Sequence, residues 1–510
     1  MGGVRNQDED GLLVTTPAGR VRGVVRDGVR VWRGIPFAAP PVGDRRFRAP
    51  QPVEPWPGVR DASEFGAIPM QKRGFEAMGG AGEATPMAED SLTINVTAPL
   101  APAQRPRPVV VWIYGGAFAL GGSRSELFRG DRLVTTGDVV FVSFNYRLGL
   151  FGFNDFSPWS TPDHPIDGNL GLRDQIAALR WVQGTIAAFG GDPGNVTIAG
   201  HSAGATSVLS LMCAPPAAGL FHRAFAMSAA GYSVFGRARH AVLAREILGS
   251  LGLDPADAAA TGQALKRLPA DQLVAAASRL FYEIAPDAYP GILAATPVID
   301  GDVLPRHPVD AFREGTAHPV PLVIGTMFRE AAILDKGLPL MPSRVSRLEA
   351  MFRATDPGIR DRIAAVYPGY PSRKTAVDIA GDFTFWAPSV LMADGHSRRA
   401  DTWVYRFDYA TPLARLAFGG ATHALDLPML FGTTGEGDLG RLDLFRRRRS
   451  KAVSQRFQDA FLAFAHGRAP GWSRYDEGAR LTRIFDTTDR EESDPGRQRR
   501  IAWGDYRGPG

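Results

Sequence analysis

The stretch Asn195-Val196-Thr197-Ile198-Ala199-Gly200-His201-Ser202-Ala203-Gly204 passes from a β-branched run through glycine into an alanine-rich, helix-compatible segment. A strand, a tight turn bearing one serine and a helix start account for that pattern. Gly200 and Gly204 have no Cβ to collide where the backbone doubles back, so the Ser202 hydroxyl projects clear of a sheet, as a nucleophile must. With 58 glycines in 510 residues, however, Gly-x-Ser-x-Gly arises readily by chance. A glycine-rich turn with a solvated serine reads the same residues. The choice depends on partners elsewhere: a base to take the proton and donors to hold an oxyanion.

Three further segments offer them. Tyr114-Gly115-Gly116-Ala117-Phe118 follows the apolar run Pro108 to Ile113, and such a loop leaves backbone N–H groups pointing outward, where a developing oxyanion would need them. An ordinary strand-to-loop turn is the alternative. Glu330 falls just past the apolar run Pro321 to Ile324, as an acid that orients a base or as a solvated loop carboxylate. Downstream of it stand only His396, His423 and His466. His396 lies in a polar, helix-like run and His466 beside a helix-ending glycine, where capping or surface roles suffice. His423, in the loop Phe418 to Pro428, is the better base because it completes the order serine, acid, histidine.

The elements that must position these residues follow from periodicity. Pro108 to Ile113 and Val139 to Phe144 are continuous apolar runs, as expected of strands buried on both faces. Leu172, Ile176, Leu179, Val182, Ile186 and Phe189 recur at helical spacing. With Glu89 to Val96, Ala224 to Ser228, Pro321 to Ile324 and Thr402 to Phe407 as further strands, the alternation predicts a doubly wound α/β sheet with its site at the strand ends. Arg33 to Pro41 reads as an extended approach whose prolines forbid a helix, and Asp61 to Pro86 as a surface loop. Helical stretches at about 237–282 and 344–399 read as excursions over the sheet, of the kind that wall a pocket.

Composition removes several classes of function. Hydrophobic residues at 44% and charged residues at 22% are ordinary for a globular protein, with no apolar run of membrane-spanning length. The acidic start, with Asp8, Glu9 and Asp10, is unlike a signal peptide, so a cytoplasmic location is expected. The single cysteine, Cys213, excludes an internal disulfide and reads as a small buried hydrophobe after the serine helix. The net charge of +5 comes almost wholly from arginine, and the run Arg446 to Arg449 reads as a solvated helix face rather than a nucleic-acid site. Neither a Gly-x-x-x-x-Gly-Lys loop nor a His-Glu-x-x-His helix is present, so no metal or cofactor is expected.

Taken together, Arg33 to Pro41, Glu89 to Val96, Tyr114 to Phe118, Asn145 to Gly149, Phe189 to Gly204, Thr296 to Leu304, Gly325 to Glu330, His423 to Gly432 and Phe461 to Pro470 resemble the type-B carboxylesterase family of α/β-hydrolases. That family includes para-nitrobenzyl esterases and cholinesterases. The resemblance implies one α/β-hydrolase domain over 1–510, a mostly parallel central sheet flanked by helices, with the two excursions over the active site. It implies Ser202 as nucleophile, Glu330 as acid, His423 as base, oxyanion donors at Gly116, Ala117 and Ala203, and a supporting hydroxyl at Ser228. The expected partners are a small-molecule ester and water, with neither nucleic acid nor membrane, and the oligomeric state stays open. A non-catalytic binding module of the same fold, and an amidase or polyester hydrolase with the same triad, remain alternatives.

Three positions depart from the family pattern. His201 stands before the nucleophile where glutamate is usual, Asp426 replaces a common glutamate, and Pro69 and Ser91 occupy the positions of a disulfide found in secreted members. Gly115 to Phe118 resembles an oxyanion loop that leaves space for a branched alcohol. Phe118, Leu120, Phe281, Phe385 and Trp386 are expected to line the pocket, either as such or as plain core, with no cationic clamp for an acidic substrate.

Overall fold

The computed structural model describes residues 11–73, 85–337, 340–434 and 447–508. Its main sheet has eleven strands, labelled here in chain order: β1 (Val24–Arg26), β2 (Val29–Pro36), β3 (Thr93–Pro99), β4 (Arg107–Ile113), β5 (Val140–Phe144), β6 (Gly191–His201), β7 (Arg223–Met227), β8 (Leu322–Met327), β9 (Thr402–Phe407), β10 (Leu481–Phe485) and β11 (Arg490–Ser493). Across the sheet they lie in the order β11-β10-β9-β8-β7-β6-β4-β5-β3-β2-β1. From β5 to β10 neighbouring strands are parallel, and the antiparallel pairs lie at the two margins. The expected doubly wound architecture is present, with β6 near the middle.

The central strands carry apolar side chains on both faces because helices cover both. Every residue of β4 and of β5 is buried. The helix Leu170–Thr185 packs Leu172, Ile176, Leu179 and Val182 inward, matching the predicted spacing, and a 3-10 turn extends it to Phe189. Asp174 also faces inward from this helix, fully buried. Its carboxylate accepts from Arg147 Nη2 at 2.7 Å, Nε at 2.8 Å and backbone N at 3.0 Å, which ties the loop after β5 to the helix.

The excursions are more broken than the helical pattern suggested. The first divides into Arg237–Ser250, Ala258–Arg267 and Ala270–Arg279, followed by a wide π turn at Leu280–Ile284. The second contains Val345–Thr355, Ile359–Val366, Arg373–Gly381, a second π turn at Asp382–Trp386, and Ala387–Ser397. Part of the loop Asp61 to Pro86 and Arg446 of the arginine run lie outside the described residues. Arg448 and Arg449 are exposed on the helix Arg447–Ala465, as a solvated face requires. Among the described residues no helix is long and apolar enough to cross a membrane.

Candidate active site

At the end of β6 the chain turns within one residue. Ser202 has φ 59° and ψ −125°, and the helix Ala203–Met212 begins immediately after it. This is left-handed territory that an L-residue occupies only under strain of about 1–3 kcal/mol. The flanking glycines are required by close approach: a Cβ on Gly204 would lie 2.0 Å from the Ile113 carbonyl oxygen, and one on Gly200 2.6 Å from the Gly204 carbonyl carbon. The Ser202 N–H donates to Met227 O at 2.9 Å, pinning the elbow to β7. Ser202 itself stays partly exposed between buried neighbours.

The glycine loop after β4 meets this elbow backbone to backbone. A Cβ on Gly115 would lie 2.5 Å from His201 O and 3.0 Å from Ser202 Cβ. Ala117 and Phe118 both adopt positive φ, 52° and 60°, which turns the loop so that the N–H groups of Ala119 and Leu120 close on Gly116 O at 3.0 Å. The N–H groups of Gly116 and Ala117 donate to no acceptor among the described residues. Ala203, as the first helical residue, keeps its N–H outside the helix ladder. Unpaired N–H groups thus follow Gly115, which lies against the serine turn, and Ser202 itself.

Glu330 and His423, 93 residues apart in the chain, form a buried pair with His423 Nδ1 2.7 Å from Glu330 Oε2. The other carboxylate oxygen accepts from Met327 N at 2.7 Å. Thr422 Oγ1 donates to Glu330 O at 3.1 Å and His423 N to the same oxygen at 3.3 Å, so the two loops are laced together along their backbones. Burial disfavours the charged form of each partner, pushing the His423 pKa down and the Glu330 pKa up. For the imidazole this favours the neutral form, the one that can accept a proton. For Glu330 the Met327 N–H and the Ser228 hydroxyl act against burial. That hydroxyl is itself buried and makes no hydrogen bond of ordinary geometry, yet lies close enough to favour the carboxylate.

The rival histidines are occupied elsewhere. His396, expected at the surface, is buried with Nε2 2.8 Å from Val320 O, and His466 Nε2 lies 2.7 Å from Gly137 O. Asp335, another acid near the end of β8, is held by Ser343 Oγ at 2.6 Å and by Arg373. Cys213 is buried just past the serine helix, and burial pushes its thiol pKa up, away from reactivity.

The expected pocket residues separate. Phe385 reaches the site, its ring centroid 4.6 Å from that of His423. Phe281 lines a small cavity shared with Ala119 of the glycine loop and with Met70, Leu150 and Ala295. Phe118 is fully buried against Phe153 at 4.5 Å between centroids, and Leu120 is buried with its carbonyl under Gly116, so both belong to the core that shapes the loop. Trp386 faces a different cavity, lined also by Ile324, Tyr405 and Arg480. The π turn sends these two consecutive aromatic residues in different directions. One neighbour escaped the sequence reading: Lys72, at the Phe281 cavity 4.0 Å from Glu283. His201, noted there as a departure before the nucleophile, packs its ring on His423.

The carboxylesterase family model matches residues 10–478. This chain belongs to the carboxylesterase family. Para-nitrobenzyl esterase of Bacillus subtilis is 35% identical to it over 494 residues, covering 96% of this chain and 97% of the relative. Phenmedipham hydrolase of Pseudarthrobacter oxydans is 31% identical, over 92% and 96%. A solved para-nitrobenzyl esterase structure superposes with a TM-score of 0.85 at 35% identity, covering 96% of this chain and 99% of that one. A carboxylesterase of Geobacillus stearothermophilus gives 0.82 at 35% identity, over 96% and 100%. The fold of this carboxylesterase is the α/β-hydrolase fold, and its activity is hydrolysis of carboxylic esters by a serine mechanism, with an ester and water as its reactants.

Proposed function

We propose that Ser202, His423 and Glu330 carry this hydrolysis as nucleophile, base and orienting acid, with Gly116, Ala117 and Ala203 as oxyanion donors and Ser228 supporting Glu330. The observation that supports the assignment most is the buried 2.7 Å contact between His423 Nδ1 and Glu330 Oε2. That contact fixes the tautomer, leaving Nε2 as the proton acceptor. As Ser202 Oγ attacks the ester carbonyl carbon, its proton passes to His423. The carbonyl oxygen becomes an oxyanion stabilised by the three backbone N–H groups, a contribution of about 3 kcal/mol per donor in comparable sites. The tetrahedral species expels the alcohol, which takes the proton from His423. Water then repeats the sequence on the acyl-enzyme, releasing the acid and restoring Ser202.

The acid is tested by substitution. Glu330→Gln removes the charge that steadies the imidazolium while keeping the side chain's size, so kcat for a neutral ester falls by roughly 10³-fold or more. Asp335→Asn leaves kcat within about threefold. The reverse result, with Asp335→Asn the severe change, identifies Asp335 as the acid.

The preferred substrates are uncharged esters of short to medium acyl chains. The cavity beside Ala119 is largely apolar, and its cation, Lys72, already has Glu283 as a neighbour and lies 5.1 Å from the centroid of the Tyr282 ring. Under saturating conditions tert-butyl acetate is turned over measurably beside n-butyl acetate. Undetectable tert-butyl turnover, or a strong preference for anionic esters, contradicts this pocket. We also read residues 1–510 as a single catalytic unit, since one sheet takes strands from Val24 to Ser493. A cytoplasmic site of action is supported by the lone, buried cysteine.

A further inference from the structure

His201 ends β6 immediately before Ser202 and is buried. Its ring centroid lies 4.5 Å from that of His423, with the planes inclined at 45°. Phe385 approaches the same imidazole at 4.6 Å and 35°. The Nε2 atom of His201 is buried with no hydrogen-bond partner among the described residues. With no polar partner for that nitrogen, the contacts the ring makes are its packing on neighbouring side chains, His423 among them.

Glu330 holds His423 by one nitrogen, which fixes Nδ1 and leaves the tilt of the ring, and with it the direction of Nε2, to the groups packed against it. The His423 N–H bond to Glu330 O fixes the backbone and not the ring plane. The two rings beside the imidazole supply that restraint, and they come from the sheet and from the second excursion. We propose that His201 is a positioning residue, its ring together with Phe385 holding the His423 imidazole in the plane from which it accepts the Ser202 proton. The proposal rests on His423 being the base.

The titratable groups around this cluster are Glu330 from the turn after β8, Tyr405 from β9, Asp426 from the loop of His423 itself, and His201 from β6. Asp382, on the π turn that carries Phe385, is engaged by Tyr367 and Arg499. With neutral His201 at the elbow, no anion presses on His423 from the side of β6. Burial keeps His201 itself uncharged, helped by the neighbouring His423.

The test measures kcat, KM and the pH dependence of kcat/KM for a neutral para-nitrophenyl ester in four variants. His201→Ala lowers kcat about 10- to 100-fold with KM nearly unchanged, because a misdirected base costs the chemical step and not binding. His201→Phe restores kcat to within about fivefold of wild type, since it returns the ring without the nitrogen. His201→Glu places a carboxylate beside the imidazole, favours its charged form and moves the acid limb of the profile up by about one pH unit or more. His423→Gln abolishes turnover. Wild-type kcat in His201→Ala, or a His201→Phe as impaired as His201→Ala, overturns the positioning role. Should His201→Ala not fold, a wild-type kcat in His201→Glu, which lacks the ring as well, overturns it equally. Substantial turnover by His423→Gln instead removes the base assignment on which the proposal stands.

Discussion

Ser202→Ala lowers turnover of a neutral ester by on the order of 10⁴-fold or more if, as proposed, the bond to the acyl group forms at the lost Oγ. Folding is expected to survive intact. The Ser202 N–H bond to Met227 O and the Thr206 N–H bond to Ser202 O are backbone interactions that alanine keeps. Ser202→Gly sharpens the test. At φ 59° and ψ −125° the wild-type residue is strained, and glycine adopts that conformation freely, offsetting its own greater loss of backbone freedom. Ser202→Gly is therefore as inactive as Ser202→Ala and at least as resistant to heat. Steady-state rates on para-nitrophenyl acetate and melting curves of the purified variants measure both. A variant within about 100-fold of the wild-type rate, once contaminating wild type is excluded, rules Ser202 out as nucleophile.

The second large effect is on stability. Asp174→Ala strips from Arg147, whose side chain is 5% exposed, its only carboxylate among the described residues and leaves a buried guanidinium with Arg48 O at 2.8 Å as its acceptor there. Breaking a buried pair from one side costs about 3–5 kcal/mol, since the surviving charge loses its partner and gains no water. An exposed pair such as Arg362 with Asp356 is worth about 1 kcal/mol at most. Denaturant midpoints distinguish the two: Asp174→Ala shifts strongly, and Arg362→Ala hardly at all. The double change Arg147→Met with Asp174→Leu recovers most of the loss, because no unpaired charge remains. An Asp174→Ala midpoint indistinguishable from wild type shows that water or a rearranged acceptor reaches Arg147.

The excursions show why sequence reasoning reached some site residues and not others. Periodicity located the helices of 344–399 but carried no sign of the π turn at Asp382–Trp386. One extra residue in a turn leaves the apolar spacing nearly unchanged while rotating everything that follows it. Phe385 was expected in the pocket and stacks on His423, whereas Trp386, expected beside it, faces another cavity. Phe118 and Leu120 could line the pocket or belong to the core, and both are buried, with consecutive positive φ values at Ala117 and Phe118 turning the phenyl ring inward. Lys72 gave no signal at all, being brought to the cavity by a long loop.

What the sequence determined by itself is the chemistry and the local geometry that presents it. Gly200, Ser202 and Gly204 encode the elbow through backbone freedom and close approach within five residues. The buried strands announce themselves by continuous apolar runs, and the order serine, acid, histidine follows from the strand ends on which they fall. The tertiary structure alone decided which groups surround His423. His201, Glu330, Phe385 and His423 meet from four segments spread over more than two hundred residues. Their distances and burial, and hence the pressure on the imidazole toward its neutral form, depend on how helices and loops settle against the sheet. Packing of that kind is a property of the whole chain, set by long-range contacts that no local pattern records.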